Sequence, residues 1–141
     1  MINEYQLKNK LVLINSENSL QQIHFVESVI EAGGKPILIG SNMNMIAEKV
    51  EKIDKKYSTK TFISSKDTTN VQDIVKLQQT IFNKFDTHPD ILINDSVIEF
   101  EHDDEDDYGN MKLDEMVIKK WDRIIHEKLT SILLLTRIFG H

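Results

Sequence analysis

The sequence predicts a three-layer α/β/α domain, with a parallel sheet of about four strands and a long C-terminal helix. Three observations predict it. Four short apolar runs recur along the chain, each followed by apolar residues at helical spacing. Glycine or small polar residues punctuate the joins. The length, 141 residues, suits one domain with one real core. Strands that alternate strictly with helices imply parallel pairing, right-handed crossovers and helices on both sheet faces.

The elements follow in order. Leu11-Val12-Leu13-Ile14 is a run of the kind that a strand buried on both faces requires. After the polar turn Asn15 to Ser19, apolar Leu20, Ile23, Val26, Val29 and Ile30 mark a helix. Ala32-Gly33-Gly34 stops it, because glycine enters the left-handed region without a Cβ penalty. Pro36 to Gly40 is the second strand, and Met43 to Tyr57 the second helix, with Ile46, Val50 and Ile53 on one side. Thr61-Phe62-Ile63 is the third strand. Asn70 or Thr69 caps a third helix carrying Val71, Ile74, Val75, Leu77, Ile81 and Phe82. Pro89 to Asn94 is the fourth strand. An acidic loop at 99–110 leads to the last helix, Asp114 to Phe139. Its apolar face includes Val117, Trp121, Ile124, Ile125, Leu129, Ile132, Leu133, Leu135, Ile138 and Phe139.

Composition narrows the function classes. Hydrophobic residues make up 40% and charged residues 28%, as in a soluble globular protein. With no cysteine, disulfides, thiolate metal sites and cysteine nucleophiles are all excluded, which fits a cytoplasmic setting. No signal peptide or membrane span is legible. The net charge of -6 is local: seven of the 23 acidic residues lie between Glu99 and Asp107, leaving 16 against 17 basic ones elsewhere. No basic face suits nucleic acid. In a sheet of this kind the ligand crevice lies at the carboxyl ends of the strands, here the loops starting at Asn15, Gly40, Ser64 and Asn94.

Several strings, in order and at matching separations, carry a resemblance. Leu7 to Ile14 forms a lysine-containing lead-in to the first strand, and Glu31-Ala32-Gly33-Gly34-Lys35 ends the first helix. Asp67-Thr68-Thr69-Asn70 is an aspartate-led turn after the third strand. Asp90 to Ser96 ends the fourth, and Lys120 to Ile125 with Leu129-Thr130 marks the last helix. Together they resemble the N-terminal half of the short-chain dehydrogenase/reductase family. The resemblance implies a single Rossmann-like domain over 1–141 with strand order 3-2-1-4. It also implies NAD(P) as the cofactor class and the last helix as a subunit interface. The loop around Tyr108-Gly109-Asn110 is similar to a subgroup associated with bacterial surface-sugar biosynthesis.

The departures decide the functional expectation. The family's glycine-rich turn falls on Asn15 to Gln22, where Ser16, Ser19 or Leu20, and Gln22 replace its glycines. Those glycines provide a tight turn and close backbone approach to pyrophosphate, so side chains there fill the phosphate space. Ser16 or Ser19 is expected to cap the first helix. Gly40-Ser41 stands where NAD-preferring relatives carry an acidic residue for the ribose, and no arginine is there for a 2′-phosphate. Asn94 is kept, but Asp95, Ser96 and Val97 replace the rest of the Asn-Asn-Ala-Gly motif. Lys128 replaces an asparagine linked to proton relay. By resemblance the positions for cofactor contact are Ser16, Ser19, Gln22, Asp67 and Asn94. The catalytic serine and Tyr-x-x-x-Lys pair are expected beyond His141, so no catalytic residue is assigned. The literal match Tyr108 to Lys112 sits in the acidic loop, where that chemistry is not expected.

No metal site is expected either. Asp104, Asp106, Gly109, Met111 and Glu115 meet five positions of a calcium-loop register, but Tyr108 and Lys112 break it. His24, His88, His102, His126 and His141 show no ligand spacing. Met43 and Met45 are expected to pack or lie exposed. No cofactor is expected, or NAD(P) if any. The expected function is a non-catalytic structural or interaction module, assembled as a homo-oligomer or with a related chain through the 114–139 helix. Two alternatives stand beside it: a fragment or subunit of an NAD(P)-dependent oxidoreductase of bacterial sugar metabolism, and a small-molecule or nucleotide sensor that keeps a modified crevice. Binding in the crevice discriminates these readings from the first.

Overall fold

A computed structural model describes residues 6–17, 19–40, 43–95 and 113–140, with the side chains of 19 and 113–116 excepted. The acidic loop 99–110 and the Tyr108 to Lys112 string lie outside the described residues, as do four of the calcium-register positions and the side chain of the fifth, Glu115.

Four strands, β1 (Leu11–Ser16), β2 (Lys35–Gly40), β3 (Phe62–Ser65) and β4 (Ile91–Asp95), form one parallel sheet in the order β3-β2-β1-β4. This is the expected order. Helices α1 (Ser19–Glu31), α2 (Asn44–Tyr57) and α3 (Val71–Phe85) join them. The last helix is not uniform: α4 (Leu113–Ile124) passes through a π-turn, Ile125–Leu129, into α5 (Thr130–Phe139).

Alternating strand residues feed two cores, because successive side chains leave opposite sheet faces. Val12, Ile14 and Leu38 pack with Val26 and Val29 of α1 and Ile46, Val50 and Ile53 of α2. Leu11, Leu13, Ile37 and Ile39 pack with Ile74, Leu77 and Ile81 of α3 and Leu135 and Phe139 of α5. Two helical layers therefore sandwich the sheet.

Local chemistry sets the boundaries. Gly33 takes φ +83, the left-handed conformation expected at the end of α1. Its carbonyl and that of Ala32 accept the N–H groups of Asn9 and Leu7 at 3.2 and 2.8 Å, strapping the lead-in to the α1–β2 turn. Asn70, rather than Thr69, caps α3 by accepting the N–H groups of Gln72 and Asp73. Leu20, Val71, Val75 and Phe82, counted at helical spacing in the sequence, point outward and are exposed.

Candidate functional site

The carboxyl ends of the strands open into a crevice of about 790 Å³. One wall comes from the end of β1 and the starts of α1 and α2: Ser16, Glu17, Gln22, Gly40, Met43, Met45 and Ile46. The other comes from the β3–α3 turn and the π-turn: Asp67, Thr68, Thr69, His126 and Glu127.

The floor is a hydrogen-bonded network of polar side chains that runs from buried Asn15 and Ser131 out to exposed Thr136. The Asn15 amide donates to Asn94 Oδ1 at 3.2 Å and to Ser131 Oγ at 3.3 Å. Ser131 donates onward to Thr68 Oγ1 at 2.8 Å, and Asn94 Nδ2 donates to Thr136 Oγ1 at 3.3 Å. One side chain after another thus ties β1 and β4 to α5 and to the β3–α3 turn. A polar floor of this kind holds together because its members satisfy one another away from water. Sequence reasoning placed Asn15 at the start of a crevice loop without a role for its side chain, and missed Ser131. Nothing local marks them, since their partners are brought in by topology.

The replaced turn is filled from within. Gln22 is 3% exposed, and its side-chain amide donates to the Ser16 carbonyl. It therefore lies back against the turn at the end of β1. Ser16 is fully buried, and its hydroxyl donates to Asp95 Oδ2 at 2.8 Å, not to the start of α1 as a cap would. At the other end, Gly40 offers no side chain. A Cβ there would stand 2.5 Å from Met43 Cε, so the Met43 thioether lies directly on the glycine. Met43 packs, 6% exposed, while Met45 is 83% exposed.

Of the five family positions, Ser16, Gln22 and Asp67 line the crevice. Asn94 sits in the floor network, and the side chain of Ser19 lies outside the described residues. The Asp67 carboxyl is held below the ordinary carboxylate range. The Thr69 hydroxyl and N–H, which donate to it at 2.6 and 2.9 Å, do most of this, and His126 acts in the same direction.

Lys128, in the π-turn, pairs with the Glu17 carboxylate. Its side chain is 20% exposed against 49% for Glu17. Burial pulls the Lys128 ammonium below the ordinary lysine range. Among the described residues no lysine or arginine lines the crevice itself, whereas Glu17, Asp67 and Glu127 do. Among the described residues no group of three or more His, Cys, Asp or Glu could hold a metal ion. Among them, too, no helix is long and apolar enough to cross a membrane.

No protein-family model and no curated protein sequence matches the chain. Solved structures do match it. L-Sorbose reductase from Gluconobacter frateurii, in complex with NADPH and L-sorbose, aligns over 95% of this chain and 47% of its own, at 15% identity and a TM-score of 0.69. A protein from Haemophilus influenza described as a D-mannonate oxidoreductase, with bound NAD, aligns over 98% of this chain and 51% of its own, at 18% identity and a TM-score of 0.75. A short-chain dehydrogenase from Mycobacterium smegmatis aligns over 95% and 52%, at 18% identity and a TM-score of 0.70. The chain spans about half the length of these proteins and has the Rossmann-like fold of that half.

Proposed function

We propose that this chain is a non-catalytic module of the short-chain dehydrogenase fold, whose role is assembly and not hydride transfer. One observation carries the reading. The turn that would have to accept a pyrophosphate holds a buried glutamine hydrogen-bonded to the Ser16 carbonyl. Backbone N–H groups cradle phosphate only where they can be approached closely, which is why glycine serves there. The charge along the crevice points the same way: among the described residues three carboxylates line it and no lysine or arginine does, and only Glu17 of the three is paired with a lysine from beside it, Lys128. A dinucleotide carries two negative phosphates into such a wall unfavourably.

The assembly role draws on the last helix. Val117, Trp121, Leu129 and Leu133 are each more than half exposed, Trp121 at 63%. Their spacing of four or eight residues puts them along roughly 24 Å of helix at 1.5 Å per residue. The occupant that this reading assigns to the stripe is a second copy of the chain or a related chain. A face of this size and character is unusual for a monomer.

A second reading keeps specific support. A crevice of about 790 Å³ falls within the range that holds small molecules, and of two neighbours of the fold one is an L-sorbose reductase and the other is described as a D-mannonate oxidoreductase. On that reading the chain is part of an NAD(P)-dependent oxidoreductase of sugar metabolism. Thermal unfolding with NAD, NADH, NADP and NADPH separates the two. A ligand at a hundredfold over its dissociation constant raises stability by about 2.7 kcal/mol. The expected result is an unchanged Tm with all four at millimolar concentration. A saturable rise with any of them would sink the reading of an occluded, purely assembling module and favour a chain that binds NAD(P), as the second reading requires.

A further inference from the structure

We infer that the Glu17–Lys128 ion pair is a clasp that closes the crevice, so that access to its floor is gated by one contact between the two walls. The inference rests on the crevice geometry and stands apart from any reading of what the chain does.

Glu17 directly follows β1 and lines the first wall, whereas the neighbours of Lys128 in the π-turn, His126 and Glu127, line the second. The pair therefore joins the first wall to the π-turn that carries the second. Deeper down, Asn15, Ser131 and Thr68 already join the same elements at the floor. The upper contact thus adds closure to walls that are held together below.

The π-turn accounts for where Lys128 lies. One extra residue per turn rotates the chain locally relative to an α-helix, and such turns concentrate at functional positions. The Thr130 N–H reaches back to the Ile125 carbonyl, and the turn runs without a break into α5, whose Ser131, Leu135 and Phe139 are buried. The cation is thereby fixed on an anchored helix and 20% exposed, while its partner sits 49% exposed outside any strand or helix. That asymmetry makes Glu17 the half that swings. A partly buried cation that loses its counter-charge is costly, which biases the clasp towards closed. The contact is not buried deeply enough to be permanent, because exposed pairs contribute little.

The chain has no cysteine, so Ser16→Cys places a single thiol at the fully buried position next to Glu17. The test measures its rate of reaction with a small thiol reagent in the full chain under native conditions. Adding Lys128→Met or Glu17→Gln is expected to raise that rate about fivefold, an opening of the size a half-exposed pair can hold back. The exchanged pair, Glu17→Lys with Lys128→Glu, is expected to restore the slow rate. Hydrogen exchange on the cysteine-free chain supplies the control. With Lys128→Met, amides at 15–23 and 125–130 should exchange faster while those of β2 and α3 keep their protection. Equal thiol rates with and without the pair overturn the clasp. So does faster exchange spread evenly over β2 and α3, which would make the pair a general stabiliser.

Discussion

The two inner strands and the β4–α4 flank of this molecule are built from similar apolar residues and end in different states. Every residue of β1 is buried, and five of the six in β2 are, whereas every residue of β4 is only half-buried. Beside β4, the long helix buries Ser131, Leu135 and Phe139 through α5 but leaves Val117, Ile118 and Trp121 of α4 exposed. The difference teaches where stability and association reside. The inner strands have neighbours on both edges and both faces. The flank offers apolar surface that the other described residues do not cover.

The largest expected effect lies in the inner half. Leu13 is fully buried between β2 and β4, against α3 and α5. Leu13→Ala should cost about 2–5 kcal/mol, as lost transfer energy plus a residual cavity, measured by urea unfolding. Leu92→Ala on β4, where the side chain is half-buried, should cost clearly less by the same measurement. Equal costs would erase the distinction between the two regions.

Next in size is the crevice floor. Asn15→Ala removes the amide that serves Asn94 and Ser131 together. Leaving buried acceptors without a donor should cost about 1–3 kcal/mol. Because the network ties β4 and α5 to β1, hydrogen exchange should quicken first on that flank. Uniform exchange across the sheet would instead mark the floor as an ordinary part of the core.

A smaller effect sits at the other end of the same strands. Asp90 accepts Lys10 Nζ and the Leu11 N–H, each at 2.8 Å, and so fastens the start of β4 to the start of β1. The lysine and then the backbone N–H hold its carboxyl below the ordinary range. A depressed folded pKa gives stability that is present above the unfolded value, about 3.9, and lost as pH falls through the folded one. Asp90→Asn should therefore lower Tm at pH 7, and the gap to the parent chain should close below about pH 4. A gap that persists at low pH would assign the effect to lost hydrogen-bond geometry instead of charge.

How much of this was legible in the sequence follows the same division. The apolar runs at Leu11 to Ile14 and Pro36 to Gly40 announced buried strands, and Gly33 announced the helix stop, because those signals are local. The last helix was legible as a helix but not in its facing. Trp121, Leu129 and Leu133 were counted with Leu135 and Phe139 on one apolar face, yet they lie exposed. The π-turn shifts the register between them, and no residue type in Ile125 to Leu129 announces it. The crevice was placed correctly at the strand ends, and Gln22 was flagged as filling. Its bond to Ser16 and the pairing of Glu17 with Lys128 depend on topology, which a single sequence does not display.

The smallest expected change in folding stability accompanies the sharpest test of the flank. Trp121 is 63% exposed and contributes little to this chain's own core, so Trp121→Lys should alter unfolding of the dilute monomer by less than about 0.5 kcal/mol. If the stripe from Val117 to Leu133 is the assembly face, the same change places a charge in a surface that must be desolvated. Stable interfaces cover on the order of 800 Å² per partner, and exposed tryptophan is the kind of residue that anchors them. Light scattering at micromolar concentration should then report a dimer or larger for the parent chain and a monomer for Trp121→Lys, with matching circular dichroism. A parent chain that is itself monomeric would remove the second copy as occupant and leave the related chain to be sought. An oligomer untouched by the substitution would move the interface elsewhere, and the outer edge of β4, unpaired among the described residues, would be the next place to disrupt.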